Sequence, residues 1–157
     1  MPDEENQYYF ESFVPFNEER IQAAAVYCSD GRFGEQFDDL LQNALALPRY
    51  VRLAVPGGAA CLASHFNTYR EEQGVLEQLR FLVQTHDLEE VVLIAHQNCG
   101  FYTHRLRVSP LQLESKQRDD MRKAIHRVHT ISKYISVRAF FTRITWDGKI
   151  RFEVVEV

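Results

Sequence analysis

Apolar residues fall along this chain in short unbroken runs separated by stretches of helical spacing. "AAAVY" (23–27) reads as a buried strand that ends at Cys28. After a Cys-Ser-Asp-Gly-Arg turn, Phe33, Phe37, Leu40, Leu41 and Ala44 recur at helical spacing, and Pro48 closes that segment. "YVRLAV" (50–55) reads as a second strand, broken by Pro56-Gly57-Gly58. Val75, Leu76, Leu79, Leu82 and Val83 mark one face of the next helix. "EVVLIA" (90–95) is continuously apolar after its first residue, the pattern of a strand covered on both faces, and it stops at His96. A further helix is predicted over roughly 112 to 134, with Met121, Ala124, Ile125 and Val128 as its stripe. "VRAFFTRIT" and "IRFEVVEV" close the chain, joined by Trp146-Asp147-Gly148-Lys149, in which Asp-Gly is a hairpin signal.

Strands alternating with helices predict an α/β fold: a mostly parallel central sheet flanked by helices, with a C-terminal antiparallel hairpin. Residues 1–22 follow a different pattern. They are acidic, yet carry Tyr8, Tyr9, Phe10, Phe13, Val14 and Phe16, too apolar a set to stay solvated alone. They read as an arm lying on the domain or on a partner subunit, ahead of a single domain over 23–157.

Composition narrows the classes. A chain of 157 residues fits one domain with a real core. A net charge of −4 argues against a general nucleic-acid face. No apolar stretch approaches the roughly 20 residues that cross a bilayer. The acidic start "MPDEENQYYF" lacks the basic and apolar regions of a signal peptide, so a cytoplasmic protein is expected. Three cysteines, Cys28, Cys61 and Cys99, do not make a disulfide framework and read as free thiols or metal-bound thiolates.

In parallel α/β sheets, sites form at the carboxyl ends of strands. Cys28 and His96 each sit just past such an end, and Cys99 follows His96. If the two strands are neighbours, Cys28, His96 and Cys99 offer Zn²⁺ two thiolates and an imidazole, leaving one tetrahedral position open. Cys61, within "GGAACLAS", reads as a small core residue. Asp30 and Arg32 follow Cys28 at alternate positions. As a surface ion pair they would contribute little, ~0–1 kcal/mol. Locked to the ligand turn, Arg32 can instead grip Asp30 bidentately beside the metal, where Asp30 accepts the proton of a zinc-bound water or hydroxide. A phosphatase-type loop would need an arginine where Gly34 stands, and a thioredoxin-type Cys-x-x-Cys is absent.

Cys28-Ser-Asp30-Gly-Arg32 followed by His96-Gln-Asn-Cys99-Gly100 resembles the signature of β-class carbonic anhydrases, Cys-x-Asp-Ser-Arg and then His-x-x-Cys-Gly after a buried strand. The resemblance covers roughly residues 23 to 157. It implies a zinc enzyme for reversible hydration of CO₂ to bicarbonate by zinc-bound hydroxide, with Cys28, His96 and Cys99 as ligands and Asp30 and Arg32 as the catalytic dyad. It further implies that the Gly100 N–H binds substrate, and that the chain forms a homodimer or a dimer of dimers. Two thiolate ligands leave such a water less acidic than three histidines would, so activity is expected to rise with pH on the alkaline side of neutrality.

The chain departs from the family in particular places. Gly31 replaces a serine, Pro56-Gly57-Gly58 replaces an Asn-Ala-Gly type loop, and Phe101 stands where many members have a second glycine, which predicts a narrower pocket. "ASHFNTYREEQG" lengthens the interval between Cys28 and His96. These changes keep two alternatives open: a related hydrolase of carbonyl sulfide or carbon disulfide, and a non-catalytic zinc-binding interaction protein. His65 and His104 are candidate proton shuttles, each read here as an ordinary surface histidine.

Overall fold

The computed structural model describes residues 8–156, so residues 1–7 of the expected arm and Val157 lie outside it. Five strands form one sheet in the order β2-β1-β3-β4-β5. They are β1 (Ala23–Cys28), β2 (Val51–Val55), β3 (Glu90–His96), β4 (Ser136–Ile144) and β5 (Ile150–Val154). The β1/β2, β1/β3 and β3/β4 pairs are parallel, and β4/β5 is antiparallel. This is the expected mostly parallel sheet with a terminal hairpin. The hairpin closes at Asp147-Gly148, where Gly148 takes φ +80° and its N–H donates to the Thr145 carbonyl at 3.0 Å.

The central strands are apolar throughout because both faces are covered. On β1, alternate residues divide between two layers. Ala23, Ala25 and Tyr27 pack with Phe33, Phe37, Leu40 and Leu41 around helix α1 (Gly34–Asp39). Ala24, Val26 and Cys28 pack with residues of α2 (Tyr69–Thr85) and α3 (Leu113–Ile131). Phe37 is fully buried in the first layer; truncating such a ring to alanine costs ~3–5 kcal/mol.

The helical spacing over 33–44 resolves into α1 and a wider π-helical turn, Leu40–Ala44, in which the Leu45 N–H reaches the Leu40 carbonyl at 3.0 Å. Ala46 then takes φ +54° and ends the segment before Pro48.

Residues 17–22 are tied to the domain. Arg49 donates to the carbonyls of Asn17 and Glu19, at 2.9 and 2.7 Å, and Arg20 donates to the Asp87 carbonyl at 2.6 Å. Upstream, Tyr8, Tyr9, Phe10, Phe13, Val14 and Phe16 are exposed and do not pack on their own domain. Among the described residues no helix is long and apolar enough to cross a membrane.

Candidate metal centre

Because β1 and β3 are adjacent and parallel, their carboxyl ends lie side by side, with Tyr27 opposite Ile94. That register brings Cys28, His96 and Cys99 together. One ligand atom from each falls within 4.8 Å of the others, and all three residues are buried. The two sulfurs are 4.0 Å apart. Two thiolates each ~2.3 Å from one tetrahedral zinc would stand ~3.8 Å apart, so the spacing fits the ion.

The histidine is oriented for the same task. His96 Nδ1 lies 2.8 Å from the Gln97 carbonyl, which makes Nδ1 the N–H and leaves a lone pair on Nε2. Nε2 is buried without a hydrogen-bond partner. An orphaned buried acceptor costs ~1–3 kcal/mol, and a metal ion satisfies it. The ring stacks on Phe33 at 4.4 Å between centroids, which fixes its plane.

The backbone N–H groups of Asp30 and Gly57 favour the anionic form of Cys28, and those of Phe101 and Tyr102 that of Cys99. The Cys28 thiol is pulled down, first by the hydrogen bond from the Cys99 thiol, with the contact to His96 and the two N–H groups adding to it. Cys99 is pushed up, first by the same bond and then by burial. The shift favours an anionic sulfur at Cys28, the form a divalent metal takes.

Asp30 and Arg32 form a fork at the mouth of this group. Asp30 Oδ1 accepts from Arg32 Nε at 3.0 Å and from the Arg32 backbone N–H at 3.1 Å; Oδ2 accepts from a terminal guanidinium nitrogen at 2.7 Å. That hydrogen bonding, more than charge alone, holds the Asp30 carboxyl down at about 2. Gly100 is exposed at the start of the π-helical turn Phe101–Arg105, just past Cys99.

Glycine is required at one point in the surrounding loop. A Cβ on Gly58 would lie 2.5 Å from the Cys28 nitrogen and 2.5 Å from the Tyr27 carbonyl carbon, and the residue takes φ +52°. The loop after β2 therefore presses directly on the backbone that carries Cys28. Its neighbour Gly57 lies against the Phe101 ring, and Phe101 is buried in the core cluster with Cys99. Cys61 is buried too; burial and the nearby Glu72 carboxylate push its thiol up to about 12.

His65 differs from its expected place at the surface. Its side chain is 10% exposed and lies between two buried carboxylates, Glu72 at 2.6 Å and Asp120 at 2.8 Å. His104 is exposed. Sequence reasoning also missed Gln117, whose side-chain N–H donates to the His96 carbonyl at 2.8 Å from α3. The signal was present: Gln117 and Asp120 interrupt the apolar stripe that continues through Met121, Ala124 and Val128.

A family model described as "Putative carbonic anhydrase" matches residues 18–155. No curated protein sequence gives a significant match. Among solved structures, the chain is similar to β-carbonic anhydrase isoform I from Trichomonas vaginalis, with 12% identity and a TM-score of 0.57 over 93% of this chain and 90% of that one. It is similar also to a carbonic anhydrase from Streptococcus mutans, with 18% identity and a TM-score of 0.57 over 90% of this chain and 88% of that one. At these identities the likeness is one of fold.

Proposed function

The chain belongs to the carbonic anhydrase family whose model it matches, and from that membership we propose a zinc-dependent enzyme for the reversible hydration of CO₂ to bicarbonate and a proton. The observation that carries the proposal is the buried Cys28–His96–Cys99 group with the His96 Nε2 lone pair unpartnered. These three residues would hold Zn²⁺, with Nε2 as the nitrogen ligand. Zinc in such a site supplies Lewis acidity, which makes water a nucleophile near neutral pH.

The chain's own groups do the rest. The backbone N–H groups near each sulfur favour its anionic form. Asp30, kept ionised by Arg32, accepts a hydrogen bond from the attacking water at a carboxylate oxygen and so aims its lone pair at the carbon of CO₂. Arg32 fixes the direction of that carboxylate through its bidentate grip. The Gly100 N–H donates to an oxygen of CO₂ or bicarbonate. Phe33, stacked on His96, covers the ring and keeps bulk water from that side.

The working form is a cytoplasmic homodimer or dimer of dimers. The exposed aromatic segment Tyr8–Phe16, unpacked in the single chain, supports a partner surface. Stopped-flow CO₂ hydration by the zinc-loaded chain tests the function. Wild type turns over, and Asp30→Asn loses about 100-fold or more with zinc content unchanged, the range for removing an acid–base group. An inert, zinc-loaded wild type would overturn the reading.

A further inference from the structure

The face that α3 turns toward the site carries Gln117 and Asp120, each 1% exposed, in line with Met121 and Ala124. These two polar side chains reach opposite flanks of the same turn. Gln117 Nε2 donates to the carbonyl of His96, at the entry. Asp120 Oδ2 accepts the hydroxyl of Tyr102 at 2.8 Å, just after Cys99. The backbone N–H of Tyr102 donates to the Cys99 carbonyl at 3.1 Å. The anchor of the Tyr102 side chain is thereby also an anchor for the backbone of Cys99.

A buried carboxylate is a stable anchor only if its charge is matched. Lys116 Nζ lies 2.8 Å from Asp120 Oδ1, and His65 Nε2 lies 2.8 Å from Oδ2. His65 Nδ1 lies 2.6 Å from Glu72 Oε1, and Glu72 Oε2 accepts the His65 backbone N–H and the Thr68 hydroxyl, both at 2.8 Å. With a carboxylate at each ring nitrogen, a neutral imidazole would aim one lone pair at an anion. The geometry therefore calls for the imidazolium, and two anions face two cations. From the remaining packed elements, Tyr102 meets the His65 ring edge-on at 6.3 Å, and Cys61 feels the charge of Glu72.

We propose that Asp120 and His65 are positioning residues for the His96–Cys99 turn: Asp120 holds Tyr102, and His65 with Lys116 neutralises Asp120. Glu72 orients His65 from its other nitrogen. The consequence for zinc rests on the metal-site proposal above; the consequence for the turn does not.

The test uses the full chain with Tyr102→Phe, which removes one hydroxyl, and Asp120→Asn, with Leu79→Ala in the core of α2 as a control for lost stability. One arm measures zinc affinity by chelator competition and the absorption spectrum of the Co²⁺-substituted chain. Tyr102→Phe is expected to weaken zinc about tenfold and to shift the cobalt bands, the effect of losing a group that supports a ligand. Leu79→Ala is expected to do neither. The second arm measures amide hydrogen exchange across residues 97–105 without added metal. Tyr102→Phe is expected to speed exchange there about tenfold or more, and Leu79→Ala to leave local opening unchanged. Unchanged exchange in the turn, or zinc and cobalt behaviour matching wild type, would overturn the positioning role. If wild type takes up no zinc, the metal-site proposal falls by itself, and the exchange arm still decides this one.

Discussion

Replacing Gly58 with alanine probes how the strand-end geometry is held, because the structure gives both the size of the insult and a matched control. The new Cβ would lie 2.5 Å from the Cys28 nitrogen and 2.8 Å from the Tyr27 α-carbon. Backbone must retreat by roughly 0.9 Å to restore ordinary contact at 3.4 Å. The left-handed backbone alone costs alanine ~1–2 kcal/mol. Overpacking against strand backbone adds ~1–3 kcal/mol. Gly148→Ala carries only the first penalty, since Gly148 takes φ +80° with nothing within 4 Å of its Cβ position. At ~2–4 °C per kcal/mol for a domain of this size, Gly148→Ala should lower Tm by roughly 2–8 °C and Gly58→Ala by roughly 4–20 °C. Zinc affinity separates them further. Ligand groups tolerate ~0.5 Å of displacement, and Gly58→Ala shifts the residue that carries a sulfur by more than that. Thermal unfolding and chelator competition on both variants should show zinc binding at least about tenfold weaker in Gly58→Ala and unchanged in Gly148→Ala. Equal loss of stability in the two variants, with wild-type zinc affinity in both, would refute the claim that the Pro-Gly-Gly loop sets the position of Cys28.

Two further outcomes follow from buried ionisable groups. Burial by itself would lower the His65 pKa, but hydrogen bonds to Asp120 and Glu72 raise it to about 9. With the folded value above the ordinary ~6.5, the stabilisation is complete below that pH and is lost as pH climbs through about 9, by at most ~3 kcal/mol. Urea titrations should therefore show wild type weakening over that window and His65→Gln showing a flatter profile; equal slopes would contradict the imidazolium. Cys61, whose thiol is pushed up to about 12, should resist alkylation in the folded chain at pH 8, and Cys61→Ala should keep zinc affinity while costing ~1 kcal/mol of stability by denaturant titration. Loss of zinc in that variant would add Cys61 to the ligands.

The sheet was legible because its signals are local. Val91 to Ile94 are apolar in unbroken succession and fully buried, and Asp147-Gly148 sits at the hairpin it predicts. The meeting of Cys28 with His96 and Cys99 was legible at one remove, since it needed β1 and β3 to be neighbours, and the observed strand order makes them so. The support around the site was harder to read. His65 finds Asp120 across 55 positions of sequence, and no periodicity encodes that pairing. Gln117 and Asp120 were visible as polar breaks in an apolar stripe, but their partners, the His96 carbonyl and the Tyr102 hydroxyl, are set by packing. Phe33 read as a helix core residue; its ring packs on His96 because α1 starts immediately after the turn that carries Cys28. Tyr8, Tyr9, Phe10, Phe13, Val14 and Phe16 read as an arm lying on the domain or on a partner subunit, and among the described residues they stay exposed.

The central claim is that Cys28, His96 and Cys99 together hold one zinc ion with a fourth position left to an oxygen ligand. X-ray absorption at the zinc edge on the zinc-loaded chain measures this directly. The predicted result is two sulfurs at ~2.3 Å, one imidazole nitrogen at ~2.0–2.1 Å and one further light ligand, with one sulfur lost in Cys99→Ala. A third sulfur, a second imidazole, or no zinc retained at one ion per chain would contradict it.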